Sequence, residues 1–302
     1  MKSFIKKIFN PFELFRAYKF HKKHKKYAKS ANDLELLLYS EIISTDMLHY
    51  GYFEDPNIEP NSISLKDLEN AQMKYVDLIT EQIISSEKLI LDVGAGMGGL
   101  SKILNDRNYN VQALTPDNNQ KNYIKNKYPE IILHHTKFEN FKTDEKYGTI
   151  INSESLQYIN LESAFYIIDK ILDDNGLWIV TDYFRYNNDG TNKSGHLFSD
   201  FKEKAKKYNW EIIYENDITK NALPTLNFAI NFIERFVKPL ATFVKNKLRY
   251  KYPWIYYLTK HFEENINTKS DIQLAALDPQ KFINEKKYLF LVLQKTSTKN
   301  IK

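Results

Sequence analysis

Cysteine is absent from the chain. Its absence excludes disulfides, thiolate metal sites and a cysteine nucleophile, and it fits a reducing, cytoplasmic setting. Glycine and proline are scarce, nine of each in 302 residues, so any glycine cluster stands out. No apolar run approaches the roughly 18 residues needed to span a bilayer. The basic N-terminus lacks the apolar centre of a signal peptide. Hydrophobic and charged contents of 42% and 27% are those of an ordinary globular chain. The length suits one large domain, or one domain with an elaboration.

The net charge of +5 conceals an asymmetry. Residues 1–30 hold ten Lys or Arg against Glu13, and residues 230–262 hold seven against Glu234. The two segments therefore carry +9 and +6, which leaves −10 on the remainder. An acidic body with two basic segments points to an anionic surface as partner, lipid or nucleic acid. The first segment interleaves Phe and Ile with Lys in "FIKKIFNPFELFRAYKF", followed by "HKKHKKYAK". That composition suits an amphipathic helix lying on a membrane interface; a solvated tail is the alternative.

From residue 64 the chain alternates. Ser64 and Asp67 mark the start of a helix over 64–85 with an apolar stripe at Val76, Ile79, Ile83 and Ile84. Strands are expected at "KLILDV", "YNVQAL", "EIILHH", "YGTIIN", "GLWIVTDYF" and "WEIIYEN". Helices are expected between them, at 97–107, 118–128, 160–173 and 197–209. Such alternation gives right-handed crossovers and a parallel sheet covered on both faces. After "WEIIYEN" the rhythm breaks for about 70 residues. There Leu226, Ile230, Ile233, Val237, Leu240, Val244 and Leu248 recur at helical spacing, and Pro239 is expected to kink the helix. "YLFLVLQK" at 288–295 then supplies a seventh strand.

The scarce glycines cluster in "LILDVGAGMGGL", residues 89–100. Gly94, Gly96 and Gly99 satisfy the G-x-G-x-x-G of a dinucleotide site, where a backbone turn and a helix N-terminus receive a pyrophosphate. Three features argue against that ligand. Asp92 stands two residues before Gly94, where a carboxylate would repel phosphates but welcome a sulfonium cofactor with a free amino group. The end of the next strand reads "ALTPDNNQ", with Thr115 where a dinucleotide site places its ribose-binding acid. No second mononucleotide half follows.

"LDVGAGMGG" resembles the first motif of class I S-adenosylmethionine-dependent methyltransferases. "VQALTPDNNQ" is similar to the T-x-x-x-x-Q second motif of the branch that holds tocopherol and sterol methyltransferases and cyclopropane fatty acid synthases. "MLHYGYFED" resembles the segment that precedes the core in many small-molecule methyltransferases. "INSESLQYI" and "ENDITKNALPTL" resemble the loops after strands four and six of the same group. The resemblance spans about 45–225 and the last strand. It implies an α/β fold: a Rossmann-like, seven-stranded, doubly wound, mostly parallel sheet whose last strand is antiparallel. An N-terminal helical segment and a helical insert before the last strand complete it. The expected division is a basic segment at 1–44, a core at 45–216 with 286–296, and an insert or lid at 217–285.

The resemblance implies S-adenosyl-L-methionine as cofactor, with S-adenosyl-L-homocysteine as product. Its ligands would be Asp92, Gly94, Ala95, Gly96, Thr115, Gln120, Phe138, Asn152 and Ser153. Two departures stand out. "TKF" at 136–138 lacks the Asp that reaches the adenine amino group in relatives. Gln157 and Tyr158 replace an E-H pair, so cyclopropanation is not expected. Candidate catalytic residues are Glu154, on the carboxyl edge of strand four where open α/β sheets bind ligands, and His49, Tyr50 and Tyr52. The histidine offers a base with a near-neutral pKa and the tyrosines offer ring faces to a sulfonium. Tyr158, Asp217 and Thr219 are candidate substrate contacts. His134 and His135, adjacent on a strand, point to opposite faces, and no metal site is expected. The chain reads as a methyltransferase for a small, lipophilic or lipid-linked acceptor, cytoplasmic and peripheral on an anionic membrane. A nucleic-acid methyltransferase and a non-catalytic cofactor-binding module are the alternatives; "NSES" lacks the D/N-P-P-aromatic signature of base methylation, so nucleic acid is not favoured.

Overall fold

The structure, a computed structural model, describes residues 9–24, 41–188, 193–257 and 277–296. Residues 1–8 and 25–40 of the basic N-terminal segment, and 258–276 of the expected insert, lie outside the described residues.

Seven strands form one sheet in the order β3-β2-β1-β4-β5-β7-β6. They are β1 Ile90–Val93, β2 Val111–Thr115, β3 Ile132–His135, β4 Tyr147–Ser153, β5 Leu172–Arg185, β6 Trp210–Asp217 and β7 Lys286–Lys295. The first five run parallel; β7 enters between β5 and β6 and pairs antiparallel with both. The expected fold class is therefore the observed one. Side chains alternate across each strand, and both faces are apolar because helices cover both. Leu91, Val93, Ile150, Trp178, Val180, Leu289, Leu291 and Leu293 fill one layer. Their neighbours Ile90, Ile151, Ile179, Tyr288, Phe290 and Val292 fill the other.

The helices are α1 Pro11–His24, α2 Leu65–Gln82, α3 Gly99–Asp106, α4 Asn118–Lys127, α5 Leu161–Ile171, α6 Phe198–Lys207, α7 Thr219–Phe232, α8 Lys238–Lys251 and α9 Pro279–Glu285. Ser64 and Asp67 form the capping box that starts α2: each side chain takes the other residue's backbone N–H, at 3.2 and 2.9 Å. Helix α3 begins at Gly99, two residues later than expected, because Gly98 sits in the left-handed region at φ 88°. The expected break near Pro239 appears as a turn of π-helix at Ile233–Val237. Proline has no N–H for the carbonyl of Arg235, and the wider turn absorbs that loss. Strand β5 begins directly after α5. Tyr147 pairs with Leu172 but Thr149 with Leu177, so the "DDNG" between them bulges.

Helix α7 is anchored by buried Thr219, Ala222, Pro224 and Leu226. Helix α8 buries nothing. Its Leu240, Phe243, Val244 and Tyr250 are exposed, as are Phe12, Phe15 and Tyr18 of α1. Among the described residues no helix is long and apolar enough to cross a membrane.

Candidate active site

The carboxyl ends of β1, β2 and β4 meet beneath a strap, residues 45–53, and enclose a cavity of about 540 Å³. That volume lies within the range of small-molecule sites. The strap is held from behind. The Gln72 amide of α2 donates to the carbonyls of Met47 and His49 at 2.9 and 3.0 Å. On α7, Thr225 accepts from the N–H of Gly51 at 3.0 Å and Asn221 donates to the Phe53 carbonyl at 2.7 Å. Asp46 pins the strap to α4 through Tyr123, Tyr128 and Lys127.

One end of the cavity carries the glycine loop. The N–H groups of Gly94 and Ala95 donate to the Leu114 carbonyl, fixing the loop to β2. Gly94 has φ +79°, and a Cβ there would stand 2.4 Å from that of Ser155. Gly96 has φ +57° and meets only Leu48, at 3.6 Å, so its open side is available to a ligand's approach. Asp92 is buried, and its carboxylate accepts from Ser101 Oγ at 2.6 Å. Burial pushes its pKa up to about 6, a cost that a positive ligand offsets. Thr115 Oγ1 donates to Gln120 Oε1 at 2.5 Å, which orients the Gln120 amide N–H groups away from β2. Lys137, Phe138 and Glu139 complete this end.

The other end is built around Glu154. This residue follows β4 with φ +50°, a left-handed conformation that a side chain other than glycine seldom adopts. Its N–H donates to the Thr181 carbonyl at 2.8 Å. Its Oε1 accepts from the N–H of Tyr50 at 2.5 Å and the hydroxyl of Tyr288 at 2.6 Å. Burial pushes its pKa up to about 7, against the pull of those two donors. Behind it the Tyr75 hydroxyl lies 2.8 Å from Ser153 Oγ and 3.4 Å from Tyr288. Asp182 on β5 is buried, accepts from the backbone N–H groups of Gln157 and Tyr183, and is pushed up to about 8 by its burial. His49 stacks on Tyr75 at 4.1 Å and its Nδ1–H donates to the Tyr50 carbonyl at 2.8 Å. Burial depresses its pKa to about 4, so the ring is neutral at pH 7 and Nε2 is an acceptor with no partner among the described residues.

Of the residues expected from sequence, Asp92, Gly94, Ala95, Gly96, Thr115, Gln120, Phe138, Ser153, Glu154, His49, Tyr50 and Tyr158 line this one cavity. Four do not. Asn152 lies behind the wall, its amide bonded to Ser155 Oγ and Trp178 Nε1 at 2.9 Å each. Tyr52 faces a separate shallow recess. Asp217 bonds Thr219 and pairs with Lys287 at 2.9 Å, and Thr219 accepts from the N–H of Tyr288. No described residue of 217–285 lines the cavity; α7 braces the strap and does not cover the mouth. Sequence reasoning missed Gln72, Tyr75, Asp182, Tyr183 and Tyr288. The one signal for Asp182 was a carboxylate inside the apolar run "GLWIVTDYF". Among the described residues no group of three or more His, Asp or Glu side chains is arranged to hold a metal ion.

No protein-family model matches the chain. A curated relative from Alkaliphilus oremlandii (strain OhILAs), described as an uncharacterized methyltransferase, is 26% identical over 97 residues. Those residues are 31% of this chain and 45% of the relative, so the chain spans less than half the length of the curated relative it matches. Two solved structures resemble the chain across most of its length. One is the cyclase SpnF, with a TM-score of 0.62 and 16% identity over 87% of this chain and 93% of that one. The other is geranyl diphosphate C-methyltransferase from Streptomyces coelicolor A3(2), solved with Mg2+, geranyl-S-thiolodiphosphate and S-adenosyl-L-homocysteine. It has a TM-score of 0.62 and 12% identity over 86% and 92%. With the strand order described above, these likenesses establish that the chain has the Rossmann-like fold of class I S-adenosylmethionine-dependent methyltransferases.

Proposed function

We propose that the chain is an S-adenosylmethionine-dependent methyltransferase for a small, lipophilic or lipid-linked acceptor, working at a membrane surface. The fold does not choose the reaction, since a cyclase shares it. One observation carries the reading: a single cavity joins the Asp92–glycine loop–Thr115–Gln120 wall to the Glu154 cluster. The first wall fits the cofactor. Asp92 is a buried carboxylate that a cation relieves, the open side of Gly96 admits a close ligand, and Gln120 N–H groups are held for hydroxyls. The cofactor supplies an electrophilic methyl group on a positively charged sulfur. The chain's residues exclude water, hold the acceptor in line and take its proton.

Glu154 is the base best matched to that task, because its pKa lies near 7. His49, held neutral down to about pH 4, is a weak base and acts as an acceptor for a ligand donor. The membrane part of the reading is supported by α1 and α8, whose exposed rings alternate with Lys238, Lys245, Lys247, Arg249 and Lys251 on the second helix.

Radiolabelled S-adenosyl-L-methionine incubated with the protein and a cell lipid extract tests the reaction; label moving into the organic phase supports it. Glu154→Gln should lower kcat/KM by about 10²–10⁴-fold and remove the rise of kcat/KM with pH through about 7. A variant that keeps wild-type kcat/KM across pH 5–8 removes Glu154 from the mechanism. Loss of residues 1–30 should reduce partition to anionic liposomes, and unchanged partition counts against the N-terminal part of the membrane reading.

A further inference from the structure

We infer that the Glu154 end of the cavity is built to receive an ammonium group, so that the acceptor is an amine carried on an apolar body. The inference rests on the methyltransferase reading above and names the substrate class for it.

Two polar atoms at this end, Glu154 Oε2 and His49 Nε2, are acceptors without a donor among the described residues. Glu154 Oε1 is already engaged by Tyr50 N–H and Tyr288 OH. Among the described residues no donor is bonded to Oε2. His49 is buried, lines the cavity, and keeps Nε2 without a partner. A buried acceptor of this kind costs free energy until a donor reaches it. Tyrosine rings surround these atoms: Tyr50, Tyr158 and Tyr183 line the same cavity. Tyr158 is 79% exposed, a ring without packing duties at the mouth. Ring faces beside a carboxylate attract a cation.

Charge points the same way. Among the described residues the lining carboxylates are Asp46, Asp92, Asp117, Glu139 and Glu154, and the one lining cation is Lys137, at the glycine-loop end beside Phe138. The groups that face Glu154 from the elements packed on it are Tyr50 from the strap, Tyr75 of α2, Asp182 and Tyr183 of β5, and Tyr288 of β7. Lys286, a buried cation that does not line the cavity, sits over the Tyr183 ring, 4.3 Å from its centroid, and donates to Ser194. A phosphate or carboxylate head group would thus meet like charge, with only tyrosine hydroxyls and the Gln157 amide as donors. An ammonium brings positive charge and N–H donors together, and supplies the donor that Glu154 Oε2 lacks.

The test measures binding by isothermal titration to the full chain saturated with S-adenosyl-L-homocysteine, using hexylamine, 1-hexanol and hexyl phosphate. At pH 7 hexylamine is expected to bind at least about ten times more tightly than 1-hexanol, with no saturable binding of hexyl phosphate. Repeating the hexylamine titration in buffers of different ionisation heat should show release of up to about half a proton, because a group with a pKa near 7 is half protonated there. Glu154→Gln keeps an oxygen for Tyr50 and Tyr288; it should abolish the amine preference while leaving S-adenosyl-L-homocysteine affinity unchanged. Tyr158→Leu, at an exposed position, should weaken hexylamine several-fold and 1-hexanol little. Equal binding of alcohol and amine, tighter binding of the phosphate, no saturable amine binding, or no proton release overturns the inference. So does a parallel loss of S-adenosyl-L-homocysteine affinity in Glu154→Gln, since the carboxylate then serves the cofactor's own amino group. If the wild-type chain fails to bind S-adenosyl-L-homocysteine at all, the methyltransferase reading itself fails.

Discussion

The cavity and helix α8 spend their aromatic and charged residues in opposite ways. In the cavity, Asp46 and Asp92 are buried and Glu154 is half-buried, each fixed by named donors, and Tyr50 stacks on Tyr288 at 5.5 Å. On α8, Phe243 and Tyr250 stand in solvent beside lysines, and no side chain is buried. The cavity bears the cost of desolvating acids, which a bound cation refunds. The helix bears the cost of exposing rings, which an apolar, anionic surface refunds. On the function proposed above, one region would take a small positive ligand and the other an extended negative surface.

That separation is open to attack from either side. The largest effect is expected from Asp92→Ala. Removing a buried carboxylate that faces a cationic ligand costs about 2–5 kcal/mol, so S-adenosylmethionine affinity by titration should fall at least about 30-fold. Partition to phosphatidylserine vesicles should not change. Replacing Lys245, Lys247 and Lys251 together by Glu should do the reverse. At about 1 kcal/mol per lysine near an anionic surface, vesicle partition should drop about 100-fold or more, with cofactor affinity intact. If the triple variant partitions like wild type, α8 is not a membrane face. If it loses cofactor affinity, the two regions are coupled in a way the packing does not show.

The sequence made the two regions legible to different degrees. Gly94 and Gly96 were legible as a turn because both sit at positive φ, which favours glycine, and only a few glycines are present to confuse the pattern. Asp92, Thr115 and Gln120 were legible because they sit at fixed offsets from strand ends, which hydrophobic runs mark. The capping box at Ser64 and Asp67 was legible for the same local reason. The Glu154 cluster was only half legible. Tyr75 reaches it from α2, Asp182 from β5 beside β4, and Tyr288 because β7 inserts beside β5, pairings that spacing alone does not reveal. Gln72 reads as one more polar residue on an amphipathic helix, yet it holds two strap carbonyls. The insert shows the limit most clearly. Its periodicity marked a helix, but not that α7 would brace the strap from behind while α8 buries no side chain among the described residues.

The smallest effect expected is on stability, and its sign tests the burial of Glu154 directly. In the folded, ligand-free chain this carboxyl has its pKa raised from 4.5 to about 7. Between those values the unfolded chain releases a proton that the folded chain retains. Folding then binds protons, so the Glu154 contribution to stability falls as pH rises through that window and levels off above about pH 7. Glu154→Gln, which carries no titrating proton, escapes this term. The full shift corresponds to about 3 kcal/mol, but the side chain reaches the cavity water, and screening should reduce it to about 1 kcal/mol. For a chain of this size that is a change of about 2 °C in the gap between wild-type and variant Tm from pH 5 to pH 8. His49, whose depressed pKa gives stability that grows as pH rises from about 4 to 6.5, is common to both chains and cancels in the difference. A Tm gap that stays constant over that range would mean Glu154 titrates like an exposed acid, and the contrast between a desolvated cavity and a solvated helix would lose its sharpest element.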